Sequence, residues 1–305
     1  MSWEELMKKF ALTFAATALG ILLAGMILLH FYLPKITAID QDIATLEKTR
    51  TVRALLTPIT FSMKQEIYAI TKNVTGDTKK ILCKTYYNTS FALKTPGYFL
   101  TNYHTVAITD EDEHYCSLLL GQDTRDKNGS ADTVEYSSEF TLVNSKKYSF
   151  PVSIYRIFRD KDDVAVLRIS KNETDIIKNW QYVPFRSQAI DIRDGKVIPD
   201  PDNLPASSLK DEPAITMGHP IGLHFTLTKG TFGNCIFTDD EGVQYVHVIS
   251  PINGGNSGGA WLSLLDYKII GMVAGTKNDG NDGSLQSGAI PFENIVKDLK
   301  SIGLE

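Results

Sequence analysis

Hydrophobic and polar positions divide the chain into three stretches with different patterns. Residues 10–33 form one apolar run that contains no Asp, Glu, Lys or Arg. In residues 36–53, apolar side chains recur at spacings typical of a helix. From about Phe61, short runs rich in β-branched and aromatic residues alternate with polar turns, as in antiparallel sheets. We therefore expect a mainly β protein preceded by two helical segments.

The first run has the length of a membrane-spanning helix. As a helix it would be about 36 Å long, and a bilayer core is about 30 Å thick. A cleaved signal peptide is the alternative, but its apolar core covers only about 7–15 residues and ends at small residues. The sequence predicts a tail of residues 1–9 and a single transmembrane helix of residues 10–33 in contact with lipid. Lysines flank both ends, so the positive-inside rule leaves the orientation open.

Residues 34–60 are expected to form a helical spacer. Ile36, Ile39, Ile43 and Leu46 share one helix face, and Pro58 ends the helix. This stripe is too short to predict a coiled coil, which needs roughly three or four heptads.

The β-prone runs fall into two series. The first is Ile81–Tyr87, Ser90–Lys94, Tyr98–Asn102, Tyr115–Leu120, Phe140–Val143, Phe150–Ile157 and Val164–Ile169. The second is Ala214–Met217, Phe225–Thr228, Gly230–Phe237, Gln244–Ser250, Gly259–Leu262, Ile269–Ala274 and Gly288–Ile290. Such spacing implies antiparallel barrels or sandwiches, and two series fit two six-stranded barrels with a cleft between them. A closing helix is expected at Glu293–Gly303, and surface loops at Gly121–Glu135 and Asp191–Glu212.

Composition narrows the function classes. The chain is 43% hydrophobic with a net charge of −5, and its basic residues are scattered, which argues against nucleic acid binding. No His/Cys spacing suits zinc, so we expect no metal and no cofactor.

The segment Ser250–Leu262 has the composition of a catalytic turn. Glycines on both sides of Ser257 permit backbone conformations closed to other residues and bring N–H groups near a ligand. Acyl transfer needs a serine nucleophile together with backbone donors that face the developing oxyanion. A glycine-rich loop that only joins two strands is the alternative.

The presence of a base and an orienting acid elsewhere in the sequence decides between a catalytic turn and a connecting loop. The chain has 6 histidines, and His104 stands out because it follows the β-prone run Tyr98–Asn102. Asp163 precedes the apolar run Val164–Ile169. Either residue alone is usually structural, but a serine nucleophile requires an imidazole base and a carboxylate that orients it.

Together these segments resemble the trypsin-like serine proteases, and more closely their HtrA/Deg branch. Gly97–His104 is similar to that family's Gly-Tyr-hydrophobic-Leu-Thr-Asn-x-His segment, and Asp163–Ile169 to its Asp-hydrophobic-Ala-Val-Leu strand. Gly218–Leu223 resembles its Gly-Asn-Pro-Phe-Gly turn, and Ser287–Pro291 its Phe-Ala-Ile-Pro strand end. The resemblance implies a trypsin-like serine protease domain over residues 61–305, with no PDZ domain expected after it.

The resemblance also assigns roles. His104, Asp163 and Ser257 become the triad, and the N–H groups of Gly255 and Ser257 the oxyanion hole. Pro251 and Ile252 become the floor of the specificity pocket, and Ser287, Gly288 and Ala289 its wall. Since no acidic side chain lies at the floor, we expect cleavage after Val, Ala or Leu. A homotrimer is one possible assembly, with Phe61 and the preceding stripe supplying apolar contacts.

The cysteines gain an expected pairing from the same resemblance. Cys83 would lie in the first strand of the first barrel and Cys116 in the fourth, and these strands are neighbours in the family's barrel. A disulfide would then join them, while Cys235 would remain a buried thiol. The alternative is that both are small apolar core residues.

The sequence thus predicts a membrane-anchored serine endopeptidase that acts on polypeptides through an acyl-enzyme, in protein quality control or regulated proteolysis. The catalytic domain is expected on the exported side of the membrane. The opposing hypothesis is a catalytically silent, protease-like scaffold at the membrane.

Overall fold

The computed structural model describes residues 46–72, 76–120, 133–158, 162–169, 174–186, 189–193, 196–200, 209, 211–219, 225–238, 242–278 and 285–304. The chain divides into two compact units, residues 1–51 and residues 52–305. The predicted tail of residues 1–9 and the predicted membrane span of residues 10–33 lie outside the described residues. Within the described ranges, no helix has the length and apolar character needed to cross a bilayer.

Helix α1 covers residues 46–56 and is the described part of the predicted spacer. Val52 and Leu56 are fully buried and belong to the hydrophobic core of the larger unit. The rest of the predicted helical stripe, residues 36–45, lies outside the described residues.

The first barrel is closed and six-stranded, as predicted. Its strands are β1 (Thr60–Lys72), β2 (Thr78–Ala92), β3 (Tyr98–Asn102), β4 (Thr133–Val143), β5 (Ser149–Phe158) and β6 (Val164–Ile169), in the order β1-β2-β3-β6-β5-β4. Inward-facing aromatic side chains fill it: the Phe61 ring lies edge-on to Phe99, 4.9 Å between centroids, and to Phe150 at 5.9 Å. This barrel carries His104 and Asp163.

The second barrel is also closed and six-stranded. It contains β9 (Pro213–Gly218), β10 (Thr226–Thr238), β11 (Gln244–Ile249), β12 (Ala260–Ser263), β13 (Ile269–Asn278) and β14 (Leu285–Pro291), in the order β10-β11-β14-β13-β12-β9. Trp261 is fully buried at its centre, edge-on to Phe232 at 5.8 Å. The closing helix α4 (Phe292–Ser301) buries Ile295 and Leu299, as its apolar face predicted.

A linker that contains helix α3 (Thr174–Lys178) connects the barrels and is tied to both. Trp180 Nε1 donates to Leu93 O at 2.7 Å on the first barrel. On the second barrel, Arg186 N donates to Ile269 O at 2.9 Å. A two-stranded hairpin, β7 (Ala189–Arg193) and β8 (Lys196–Asp200), follows the linker.

The predicted strand Tyr115–Leu120 is wrong, because these residues belong to helix α2 (Asp110–Leu120). A capping box starts this helix: Asp112 N donates to Thr109 Oγ1 at 3.2 Å, and Thr109 N donates to Asp112 Oδ2 at 3.1 Å. The spacing Thr-x-x-Asp is the sequence signature of such a cap. It outweighs the β propensity of the tyrosine and cysteine that follow.

Strand β1 was missing from the predicted runs. It pairs with β2 on one side and with β4 on the other. The side chain of Gln65 points inward from this strand and is buried, donating to Val106 O at 3.3 Å. A buried polar residue in the middle of the strand obscures the alternation of polar and apolar positions on which the prediction depended.

Two pairs of predicted strands are continuous. Ile81–Tyr87 and most of Ser90–Lys94 form β2, and most of Phe225–Thr228 and all of Gly230–Phe237 form β10. Gly230 stands inside β10 because a Cβ there would lie 2.8 Å from the Trp261 ring. The glycine makes room for a neighbouring side chain and does not mark a turn.

The two predicted surface loops need correction. Residues 121–132 lie outside the described residues, but Thr133–Glu135 belong to β4. The stretch Asp191–Glu212 contains most of the β7–β8 hairpin, and Glu212 at its end is buried, with 2% exposure.

Phe61 does not fit its predicted role as a trimer contact, since its side chain is 5% exposed and lies in the barrel core.

Cys83 and Cys116 are joined in a disulfide, with 5.3 Å between their Cα atoms. The expected pairing is therefore present, but its setting differs: Cys83 lies on the second strand of the barrel, and Cys116 lies on α2. The bond fastens this helix to β2 of the first barrel. Cys235 lies on β10, and its side chain is outside the described part of the structure.

Candidate active site

His104 and Asp163 are held together by two hydrogen bonds. The ring nitrogen Nδ1 of His104 lies 2.7 Å from Asp163 Oδ2, and the backbone N of His104 donates to Asp163 Oδ1 at 2.9 Å. The Asp163 carboxylate is nearly buried, whereas 46% of the His104 side chain is exposed. An acceptor at Nδ1 favours the tautomer with its proton there, which leaves Nε2 as the base.

The backbone brings these two side chains together. His104 follows the end of β3, and Asp163 stands directly before β6, the neighbour of β3 in the sheet. Asp163 has a φ of +44°, in the left-handed region. Its carbonyl oxygen accepts hydrogen bonds from Tyr103 N at 3.0 Å and Asn102 Nδ2 at 3.3 Å. The carboxylate and the backbone carbonyl of Asp163 thus both bind the segment that carries His104.

Ser257 lies on a glycine turn of the second barrel, in the loop before β12. Gly255 and Gly258 have φ values of +93° and +84°, which favour glycine. At Gly258 space is also limiting, since a Cβ would lie 2.1 Å from Thr89 O. The turn continues into the sheet through Gly258 N, which donates to Val273 O at 2.9 Å. The chain therefore folds sharply around Ser257 because Gly255 and Gly258 adopt backbone conformations that favour glycine.

The two backbone N–H groups that are proposed for the oxyanion hole are free to donate. Among the described residues, the N–H groups of Gly255 and Ser257 donate to no protein acceptor. The N–H of Asn256 between them is used, donating to Asn253 O at 3.1 Å. Free N–H groups on this turn are what a developing oxyanion requires.

The hydrogen bonds between the described triad residues join His104 to Asp163, but they do not join Ser257 to His104. Hydrogen bonds of catalytic groups are often long before substrate binds. The Ser257 hydroxyl instead lies close to β13, since a Cβ on Gly275 would be 3.4 Å from Ser257 Oγ.

The segments predicted to form the specificity pocket are adjacent. Ser287 Oγ donates to Ser250 O at 2.9 Å, which joins β14 to the chain just before Pro251. Ile252 and Ala289 are buried, with 4% and 0% exposure, and both belong to the second-barrel core around Trp261. Pro251 is exposed. The assignment of these residues and Gly288 to the pocket stays a prediction.

Two residues beside Ser257 were not predicted. Thr89 on β2 and Gly275 on β13 both approach the nucleophile turn. A glycine that follows an apolar strand run can signal a close approach, so Gly275 had a signal in the sequence. Thr89 had none, because threonine is common in strands.

A separate concavity of about 380 Å³ lies between α4 and the linker, and the predicted site residues do not line it. Its lining is mostly apolar and includes Glu293 of α4. Burial raises the pKa of Glu293 to about 7. This concavity is distinct from the cleft that carries His104 and Ser257.

Comparison with known proteins supports the geometry. A family model described as the trypsin-like peptidase domain matches residues 88–272, more than half of the chain. The chain belongs to the trypsin-like peptidase family.

Solved structures of similar fold include the HtrA-type protease AlgW with a tripeptide and with a decapeptide. The first shares 15% identity and a TM-score of 0.51, and the match covers 82% of this chain and 62% of that one. The second shares 14% identity and a TM-score of 0.52, covering 82% and 66%. At these identities the likeness shows an HtrA-like fold. No curated protein gave a significant match.

Proposed function

We propose that this protein is a serine endopeptidase that cleaves peptide bonds with the triad His104, Asp163 and Ser257. Ser257 attacks the scissile carbonyl while His104 accepts its proton. His104 gives this proton to the amine as the C–N bond breaks and the acyl-enzyme forms, and Asp163 keeps the ring oriented. Water, which loses a proton to His104, then hydrolyses the acyl-enzyme and releases Ser257. The N–H groups of Gly255 and Ser257 stabilise the oxyanion.

The two hydrogen bonds that the Asp163 carboxylate accepts from the ring and the backbone N–H of His104 carry this proposal. A purely structural histidine has no need of a ring that is 46% exposed. Gly258, directly after Ser257, also approaches Thr101 of the strand that leads to His104. The exposed imidazole, the buried carboxylate and the free turn N–H groups fit one reaction.

Polypeptides are the proposed substrates, with cleavage after Val, Ala or Leu. The AlgW structures of similar fold contain peptides. In this chain, the segment that leads to Ser257 contains no acidic side chain that would select Lys or Arg. A role in protein quality control or regulated proteolysis is proposed from the resemblance of the sequence segments to the HtrA/Deg proteases.

A membrane anchor at residues 10–33 is part of the proposal and rests on the length of that apolar run. The Cys83–Cys116 disulfide supports a catalytic domain on the exported side, because disulfides persist outside the reducing cytoplasm. A trimer remains an untested assembly, and Phe61 contributes nothing to it.

Labelling with a fluorophosphonate tests the triad. The wild-type protein should label at Ser257, and Ser257→Ala should not label. Both Ser257→Ala and His104→Ala should lower kcat by several orders of magnitude, since only the oxyanion hole and binding remain. Circular dichroism should show that both variants fold.

Failure of folded wild-type protein to label or to cleave any peptide would favour the silent scaffold. A peptide library separates the specificity proposal from the triad proposal. Preferred cleavage after Arg or Lys would contradict the assignment of the pocket while leaving the triad intact.

A further inference from the structure

Thr89 lies on β2 of the first barrel and is fully buried against the nucleophile turn of the second barrel. Its backbone N donates to Ser257 O at 2.9 Å, and its hydroxyl Oγ1 donates to Gly255 O at 2.7 Å. These two carbonyl groups stand on either side of the peptide that carries the Ser257 N–H. One residue of the first barrel therefore fixes both ends of the catalytic turn.

The same hydroxyl has a second partner. His219 N donates to Thr89 Oγ1 at 3.0 Å. Since a hydroxyl has one proton and two lone pairs, it can donate to Gly255 O and accept from His219 N at the same time. A side chain of the same shape without a hydroxyl would leave two backbone groups of the second barrel unpaired.

The backbone of Thr89 connects the turn to the strand that leads to His104. Thr101 Oγ1 on β3 donates to Thr89 O at 2.8 Å. Gly258, directly after Ser257, packs on the same carbonyl, where a Cβ would lie 2.1 Å away. The position of Ser257 relative to β3 is thus set through one residue.

We propose that Thr89 is a positioning residue for the reaction: its hydroxyl orients the peptide between Gly255 and Asn256 and so fixes the oxyanion donors and Ser257 relative to His104. This inference rests on the proposed triad. The donors of an oxyanion hole act only when they are held in place before the transition state forms. Thr89 touches no reacting atom and acts through the turn.

Three variants test this role. Thr89→Val removes the hydroxyl and keeps the shape, and Thr89→Ser restores the hydroxyl without the methyl group. Thr60→Val is the matched control, because Thr60 is a buried threonine of the first barrel whose hydroxyl has no hydrogen-bond partner among the described residues. Each variant is compared with the wild type in kcat and KM for one peptide, and in Kd for a peptide boronic acid that mimics the tetrahedral intermediate.

We expect Thr89→Val to lower kcat about ten- to a hundredfold with KM within about twofold, since small displacements of catalytic groups have effects of this size. The boronic acid should bind more weakly by a similar factor. Thr89→Ser should keep kcat within about threefold of the wild type, and Thr60→Val should match the wild type. A threonine that served only stability would lower Tm in Thr89→Val without moving kcat or boronate affinity.

A folded Thr89→Val with wild-type kcat overturns the inference, as does a Thr89→Ser as slow as Thr89→Val. If Thr89→Val does not fold, Thr89→Ala, which leaves room for water, is measured in the same way with the same criteria. Failure of the triad proposal looks different, because the wild-type protein itself would then neither label with fluorophosphonate nor cleave peptide.

Discussion

At the scale of single residues, buried carboxyl groups of this protein differ in how their charge is compensated. Burial alone would raise the pKa of Asp112, but hydrogen bonds from Tyr86, Lys84 and Thr109 lower it to about 2. In the part of the chain that the structure describes, no donor reaches Oδ2 of Asp298 on α4. Burial, and then the neighbouring carboxyl of Asp162, raise the pKa of Asp298 to about 7.

The raised pKa of Asp298 predicts a loss of stability with rising pH. The folded state holds the proton more tightly than the unfolded chain, so its contribution is fully present below about pH 4 and is lost as the pH rises through about 7. Asp298→Asn should therefore raise the free energy of unfolding at pH 8 by on the order of 2 kcal/mol relative to the wild type. Urea denaturation at pH 4 and pH 8 measures it.

At pH 4 the wild type and Asp298→Asn should differ little, because the wild-type carboxyl is then protonated. Glu113→Gln, which removes an exposed carboxyl from α2, is the control and should change stability equally at both pH values. Equal stability of Asp298→Asn and the wild type at pH 8 would contradict the raised pKa of Asp298.

Residue identities in the candidate site followed from sequence where the chemistry demands a particular side chain. His104 follows one β-prone run, Asp163 and Ser257 come shortly before others, and the candidate triad requires those residue types. Thr89 could not be found in this way. Its importance comes from a contact across the two barrels to Gly255 O, and nothing in the neighbouring sequence encodes that contact.

At the scale of elements, α2 is held by its capping box and by the disulfide. Asp112 caps the helix and also accepts from Lys84 Nζ at 2.9 Å. Cys116, one turn later, is bonded to Cys83 on the same strand as Lys84. Both attachments join α2 to β2, so removing one should leave the helix docked but less stable.

Replacing both cysteines by alanine should lower the free energy of unfolding by roughly 3–4 kcal/mol, the value expected for closing a loop of this size in the chain-entropy model. The sequence separation of the pair is 33 residues. Urea unfolding of Cys83→Ala/Cys116→Ala against the oxidised wild type gives the difference. Reduced wild type should resemble the double variant, and equal stability of oxidised and reduced protein would exclude a stabilising bridge.

Most strands followed from the alternation of apolar and polar positions, and the exceptions have local causes. Gln65 turns inward on β1, and Gly230 yields space to Trp261 on β10. For α2 the decisive signal was the cap at Thr109 and Asp112 rather than the composition of the helix. In each case the local structure depends on a hydrogen-bonding or packing partner. The alternation of apolar and polar positions does not reveal such partners.

At the scale of the whole molecule, a buried ion cluster fastens the linker between the barrels to the second barrel. Arg186 is 1% exposed and donates from Nη1 to Glu212 Oε2 at 2.7 Å and from Nε to Asp266 Oδ2 at 3.0 Å. Burial opposes its charge, but these two carboxylates raise the pKa of Arg186 above its ordinary value. Glu212 also accepts from Ser263 Oγ. The linker thus depends on a charge that has no access to water.

Glu212→Ala should therefore lower the free energy of unfolding by about 3 kcal/mol, because it leaves a buried arginine with only one carboxylate. The double variant Arg186→Met/Glu212→Leu should recover most of this loss, since a packed apolar pair avoids the cost of burying charge. Asp175→Ala, which breaks an exposed pair with Lys178 at 3.8 Å, should cost less than about 1 kcal/mol. The cluster is separate from the candidate triad. In all three variants, kcat per active site should therefore stay at the wild-type value, with the active sites counted by fluorophosphonate labelling of a parallel sample. A double variant as unstable as Glu212→Ala would show that the cluster stabilises the linker through its charges and not merely by filling space.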